Sequence, residues 1–203
     1  MIRNIVFDMG NVIARYDPKT FLARMPIHEE YRETIRETVF NSVEWLLQDA
    51  GALEDDEFIR RVIPRLPEEM REDGLFAYEN WHVYGMDPIV EIEELARQLK
   101  GLGYGLYALT NASKRFRAYA DRIPAFSLMD GLFVSAEHQV YKPDHRMYES
   151  FLKTFSLKAE ECLFIDDSAP NICGAVLSHM DGIVYKNDIG KLRAELKEKG
   201  VLS

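Results

Sequence analysis

Five short runs of the chain are apolar and rich in β-branched residues: Ile2 to Phe7, Tyr104 to Leu109, Leu132 to Val134, Cys162 to Ile165 and Gly182 to Tyr185. Runs of this kind, in place of strict alternation, are what strands buried on both faces require. Between them, apolar positions recur with helical spacing at Pro88 to Lys100, Ala112 to Ala120, Asp144 to Phe155, Ala169 to Ser178 and Ile189 to Lys199. In the first of these, Ile92, Leu95, Ala96 and Leu99 form one stripe between charged residues. Strand–helix alternation predicts an α/β protein, a doubly wound, Rossmann-like parallel sheet with right-handed crossovers and helices on both faces.

Residues 15–86 break that rhythm. Asp17-Pro18 is a helix start, with Asp as N-cap and Pro at the first helical position. Helix-period segments follow at Tyr31 to Leu47, Asp55 to Ile63 and, more loosely, Leu75 to Tyr84. Gly51 separates the first two, and Pro64 and Pro67 stop the second. The pattern predicts an α/β core of residues 1–14 and 87–203, interrupted by an inserted α-helical unit of residues 15–86, with Asp87-Pro88 as the return point.

Composition narrows the partners. The 203 residues are 47% hydrophobic and 29% charged, enough for a proper core. Lys and Arg total 25 against 34 Asp and Glu, a net charge of −9. That balance argues against nucleic acid and anionic membranes, which are bound by neutralising phosphates. It leaves room for a small phosphorylated ligand, because a few donors or a metal reverse the field inside one pocket. No stretch approaches the ~20 apolar residues of a membrane span. The start, MIRNIVFDMGNV, lacks a signal-peptide pattern, so the expected location is cytoplasmic.

Several local patterns have structural explanations. Gly101, Gly103 and Gly105 precede a strand, whereas a dinucleotide fingerprint follows one, and they read as a helix end and turn. The five histidines show no paired zinc spacing. Cys162 and Cys173 are expected to be buried thiols, and Trp45 and Trp81 to pack within the helical insert, where they, Tyr16 and His82 are candidates to line a pocket.

Open parallel sheets place ligands at the carboxyl ends of their strands. Those ends carry Asp8 after the first run, Thr110-Asn111 after the second, Lys142-Pro143 beyond the third and Asp166-Asp167 after the fourth. Carboxylates on two strands, Asp8 and Asp166, suit Mg²⁺, with Asp167 as an outer contributor. An Asp beside a metal is also able to attack phosphorus and form an aspartyl-phosphate. Thr110 offers a hydroxyl, Asn111 and Ala112 offer N–H groups at a predicted helix start, and Lys142 supplies a point charge. Taken singly, Asp8 and Asp166-Asp167 are equally well read as turn or cap residues.

Four segments, FDMGNV at Phe7 to Val12, LTNAS at Leu109 to Ser113, VYKPD at Val140 to Asp144 and FIDDSAPNI at Phe164 to Ile172, resemble the motifs of the haloacid dehalogenase-like hydrolase superfamily, in the same order. The insert falls where that superfamily's helical-cap subclass places its cap. The resemblance implies Asp8 as nucleophile, with Asp166 and the Gly10 carbonyl as Mg²⁺ ligands and Asp167 as a further acid of the metal site. It also implies Thr110, Asn111 and Lys142 as the group that binds phosphate and orients the nucleophile.

One position departs from the pattern. Phosphatases of the superfamily usually carry a second Asp two residues after the nucleophile, as general acid and base, and here Gly10 stands there. The FDxGNV form resembles a subgroup that includes sugar-phosphate phosphatases, notably of α-glucose 1-phosphate. Two sources remain for the missing proton, Asp17 and a water, and Asp17 has the competing role of N-cap. The function expected is Mg²⁺-dependent hydrolysis of a small phosphorylated metabolite, with a sugar phosphate as one candidate. The alternatives are a 2-haloacid dehalogenase, which needs no metal, and an idle core serving as a binding or regulatory module.

Overall fold

Ile5, Val6 and Phe7 are fully buried, with Ile5 and Phe7 packed on one face of a sheet and Val6 on the other. The computed structural model describes residues 1–203. Its strands are β1 (Asn4–Phe7), β2 (Ala14–Arg15), β3 (Asp87–Pro88), β4 (Gly105–Thr110), β5 (Gly131–Val134), β6 (Cys162–Asp166) and β7 (Asp181–Val184). Five of them form a parallel sheet in the order β5-β4-β1-β6-β7. The chain builds outward from β1 to β5, then crosses back to lay β6 on the other side of β1. The strand order therefore reverses between β1 and β6, where such sheets open a crevice for ligands.

The helices are α1 (Pro18–Arg24), α2 (Arg32–Ile35), α3 (Val43–Asp49), α4 (Asp55–Val62), α5 (Arg71–Tyr84), α6 (Val90–Gly101), α7 (Phe116–Tyr119), α8 (Ser135–His138), α9 (His145–Phe155), α10 (Ala169–Leu177) and α11 (Ile189–Glu198). α6 and α11 cover one sheet face through Ile92, Leu95, Leu99, Leu192 and Leu196. α9 and α10 cover the other through Met147, Phe151, Ile172 and Ala175. This is the doubly wound arrangement that strand–helix alternation predicts.

α1 to α5 all lie between β2 and β3, which pair antiparallel, Ala14 facing Pro88 and Arg15 facing Asp87. Asp17 caps α1 by accepting the Lys19 N–H, with Pro18 at the first helical position. The apolar cluster is continuous from Phe7 and Met9 in the core to Phe21, Phe58 and Trp81 in the insert. Arg115 reaches across to Asp55 at 2.7 Å, and Asp55 accepts the Tyr78 hydroxyl at 3.0 Å.

Four local expectations are corrected. The predicted helix from Tyr31 to Leu47 is broken at Asn41-Ser42, because the Ser42 hydroxyl donates to the Val39 carbonyl and accepts the Trp45 N–H, ending one helix and capping α3. α6 starts at Val90, two residues after Pro88, which is held in β3. The helix expected from Ala112 begins only at Phe116, since Ala112 is bound to Ser135 instead. Cys162 is buried as expected, but Cys173 is exposed: Ile172, Gly174 and Ala175 take the inner face of α10.

Gly51 fastens the insert to the core. It adopts φ of +70°, and a Cβ there would overlap the Ala136 carbonyl oxygen. Gly51→Ala is expected to lower stability by at least about 1–2 kcal/mol from the left-handed backbone alone. A denaturant midpoint equal to that of the unsubstituted protein would contradict this contact.

Candidate active site

β1 ends in a tight turn that presents Asp8. The Met9 carbonyl accepts the N–H groups of Val12, Ile13 and Ala14 at 3.3, 2.9 and 2.9 Å, and Asn11 takes the left-handed conformation with φ of 56°. Asp8 gives its own N–H to the Ile165 carbonyl at 2.9 Å, which holds it beside the end of β6, where Asp166 and Asp167 follow. Gly10 lies in this turn, and its carbonyl takes none of the turn's backbone hydrogen bonds.

Lys142 comes in from the loop between α8 and α9. The Asn111 side chain clamps its backbone, donating to the Lys142 carbonyl at 3.0 Å and accepting the Lys142 N–H at 2.9 Å. The ammonium is 2.7 Å from Asp8 Oδ1, 2.7 Å from Asp166 Oδ2 and 3.0 Å from the Leu109 carbonyl. Lys142 is 1% exposed and Asp166 0%. Asp166 is held further by the Ser168 N–H at 2.8 Å and the Asn171 amide at 3.0 and 3.1 Å. The Asn11 amide reaches Asp167 at 3.3 Å.

Two buried carboxylates share one ammonium. Burial pushes the Asp8 carboxyl up to about 7, the Lys142 charge opposing and the Asp166 charge adding to the rise. Burial works against the Lys142 ammonium, yet Asp8 and Asp166 hold it above its ordinary value, so it stays charged. Asp167 is also raised, by burial and by the charge of Asp166. Three carboxylates thus crowd around one buried ammonium, a setting that favours a further cation.

The donor set fits a hard divalent cation. Carboxylate oxygens of Asp8, Asp166 and Asp167 all lie within 4.8 Å of one another. They offer only oxygen ligands, which suit Mg²⁺ and not a soft metal.

Above the carboxylates is a cavity of about 110 Å³. Its floor is Asp8, Met9, Gly10, Asn111, Ala112, Ser113, Lys142 and Asn171, and its roof and walls are Tyr16, Trp45, Asp49, Trp81 and Tyr119. The aromatic residues form one packed group, with Trp45 and Trp81 ring centres 5.4 Å apart and Tyr16 edge-on to Trp81 at 5.7 Å. The Tyr16 hydroxyl and the Trp81 indole N–H are buried without a hydrogen-bond partner.

The structure thus brings together Asp8, Gly10, Asn111, Lys142, Asp166 and Asp167. Thr110 lies at the end of β4, 1% exposed and beneath the cavity surface. Ala112 borders the cavity, but its N–H is given to the Ser135 hydroxyl at 2.9 Å and is not free for an anion. Asp17 does not line the cavity. Its carboxylate accepts from Lys19 and Thr20, the Thr20 hydroxyl holds its pKa below the ordinary carboxyl value, and it borders a surface cleft with Asn11, Arg15 and Arg24. A carboxyl kept ionised outside the cavity has no proton to give there. His82 also faces elsewhere, while Tyr16, Trp45 and Trp81 line the cavity as expected.

Four participants were not singled out by the sequence: Asn11, Asp49, Ser135 and Asn171. Asn11 and Asn171 lie within the FDMGNV and FIDDSAPNI segments, which was a usable signal. Asp49 and Ser135 carry no motif and are recognisable only once the insert is folded onto the core.

A parallel α/β core that gathers acids and one lysine at its strand reversal, under a helical roof, defines a hydrolase. The chain belongs to the haloacid dehalogenase-like hydrolases, whose family model matches residues 2–177. It is 26% identical over 181 residues to a sesquiterpene phosphatase of Aspergillus oryzae, covering 88% of this chain and 87% of that one. The fold matches that of a HAD-like family hydrolase from Porphyromonas gingivalis, with a TM-score of 0.75, 21% identity and 98% of both chains covered. It also matches a HAD family enzyme of Bacteroides thetaiotaomicron, in a mutant form complexed with magnesium and inorganic phosphate, with a TM-score of 0.73, 18% identity and 95% of this chain and 99% of that one covered. No helix is long and apolar enough to cross a membrane.

Proposed function

We propose that the protein is a Mg²⁺-dependent phosphatase of small phosphorylated metabolites, in which residues 15–86 act as a cap over a core of residues 1–14 and 87–203. The observation that carries this reading is the Lys142 ammonium, 2.7 Å from both Asp8 and Asp166, in a cluster of carboxylates suited to a divalent cation. A 2-haloacid dehalogenase needs no metal, so three carboxylates grouped as for a divalent cation favour the phosphatase.

Asp8 is the nucleophile. Lys142 holds its Oδ1, leaving Oδ2 to attack phosphorus in line, so that one difficult displacement becomes two easier ones through an aspartyl-phosphate. Asp8, Asp166 and the Gly10 carbonyl would hold Mg²⁺, with Asp167 beside them, and the bound ion supplies charge neutralisation at the phosphoryl oxygens. Asn111 positions Lys142, and Asn171 positions Asp166. The aromatic roof keeps bulk water from the intermediate.

The cavity supports a small organic group. An apolar cavity of roughly 150 Å³ is filled by benzene, so 110 Å³ takes the phosphoryl group and the atoms next to it, and the rest of the substrate extends through the open side. Polar residues at the cavity wall, Asp49 and Ser113, favour a substrate bearing hydroxyl groups, of which a sugar phosphate is one.

Phosphate release from hexose phosphates, glycerol phosphate and farnesyl phosphate, alongside halide release from 2-chloropropionate, tests this with and without a chelator. The expected result is Mg²⁺-dependent phosphate release, fastest on a hydroxylated ester. Halide release that survives the chelator would overturn it.

A further inference from the structure

We propose that Asp49 does the proton transfer for which Gly10 has no side chain. The proposal rests on the phosphatase reading above. As the Asp8 Oδ2–phosphorus bond forms and the bond from phosphorus to the leaving oxygen breaks, the Asp49 carboxylic acid gives that oxygen its proton, releasing a neutral alcohol. In the second half the Asp49 carboxylate takes a proton from the water that attacks phosphorus. Phosphate leaves, Asp8 is regenerated, and Asp49 is again protonated.

Three independent observations place Asp49 in this role. It ends α3 and borders the same cavity as Asp8 and Gly10, although it belongs to the insert. It is fixed relative to the core: its carbonyl accepts the Ser135 hydroxyl, the same hydroxyl that accepts the Ala112 N–H at 2.9 Å, and Gly51 fits closely under Ala136 two residues later. Finally, it has no cationic partner. Asp8 and Asp166 share Lys142, whereas Asp49 has the Ser113 N–H and the hydroxyl-bearing rings of Tyr16, Tyr119 and Tyr141 around it.

Burial with no cation beside it favours the neutral acid and raises Asp49 well above the ordinary carboxyl value, the Ser113 N–H opposing the rise. Asp17, the other candidate, is shifted the opposite way. A carboxyl that keeps its proton at neutral pH, beside a nucleophilic carboxylate, is the division of labour that a general acid requires.

The test compares two esters. p-Nitrophenyl phosphate has a leaving group that needs no proton, and glycerol phosphate has an alkoxide that does. Asp49→Asn is expected to slow glycerol release in the first turnover of glycerol phosphate by about 10²–10⁴-fold, to leave the first-turnover burst of p-nitrophenolate in place, to slow the later hydrolysis of the phosphorylated enzyme with either ester, and to leave the thermal unfolding profile in place. Asp49→Glu is expected to restore part of the loss. Equal losses in the first turnover of both esters, or a change confined to KM, would overturn the role. So would a steep dependence of the unsubstituted enzyme's rate on leaving-group acidity across substituted phenyl and alkyl phosphates, a measurement that needs no variant. Absence of phosphate release from both esters by the unsubstituted protein would remove the phosphatase reading, and the role of Asp49 with it.

Discussion

Replacing Asp8 with asparagine is expected to abolish phosphate release, leaving at most about 10⁻⁴ of the unsubstituted rate, a loss of the size seen when a covalent nucleophile is removed. The two side chains are nearly the same shape, so the turn at Met9 and the Asp8 N–H bond to Ile165 should persist. What is lost is the anionic oxygen that attacks phosphorus and a charged ligand for the cation. The amide still meets the Lys142 ammonium, and it relieves the repulsion between two buried carboxylates. Asp8→Asn should therefore unfold no earlier than the unsubstituted protein when both are free of metal. A variant that is inactive because it is unfolded would not support the nucleophile assignment.

Replacing Lys142 with methionine should have the largest effect on stability. Lys142 is 1% exposed and is the ammonium shared by Asp8 and Asp166. Methionine fills similar volume, so the change isolates the charge. Breaking a buried ion pair by removing one partner costs about 3–5 kcal/mol, and here two carboxylates lose their partner together. Asp8, already raised by burial, would take up a proton instead of remaining charged. Denaturant unfolding of Lys142→Met without metal is expected to show a loss in that range. Added Mg²⁺ should recover part of it, since a ligand that binds only the folded state stabilises it by mass action. An unchanged midpoint would contradict the shared ion pair.

The core was legible because its physical signals are local. Buried parallel strands need apolar runs such as Cys162 to Ile165, and helices need stripes such as Ile92, Leu95 and Leu99. Since sheets of this kind put ligands at strand ends, reading those ends found Asp8, Asn111, Lys142 and Asp166 although they are far apart in sequence. Errors came where a side chain overrode the backbone pattern. Ser42 interrupts a helix that the periodicity from Tyr31 to Leu47 joins, and Ser135 takes the Ala112 N–H that a helix start would have left free.

The roof of the cavity was legible only as aromatic content. Tyr16, Trp45 and Trp81 stood out as large residues in a helical insert, but nothing in the spacing of Asp49 distinguishes it from the other acids of that segment. Its significance comes from the docking of α3 on the core, through Ser135 and Gly51, which is a tertiary fact. Asp17 was misleading for the converse reason: its sequence signal was that of an N-cap, and an N-cap is what it is.

The most direct test of the account is to quench the protein during turnover of a phosphate ester and examine the peptide containing Asp8 by mass spectrometry. The account predicts a phosphorylated Asp8 that appears with Mg²⁺ and is absent both without it and in Asp8→Asn. Steady release of phosphate with that peptide unmodified, or undiminished release by Asp8→Asn, would contradict it.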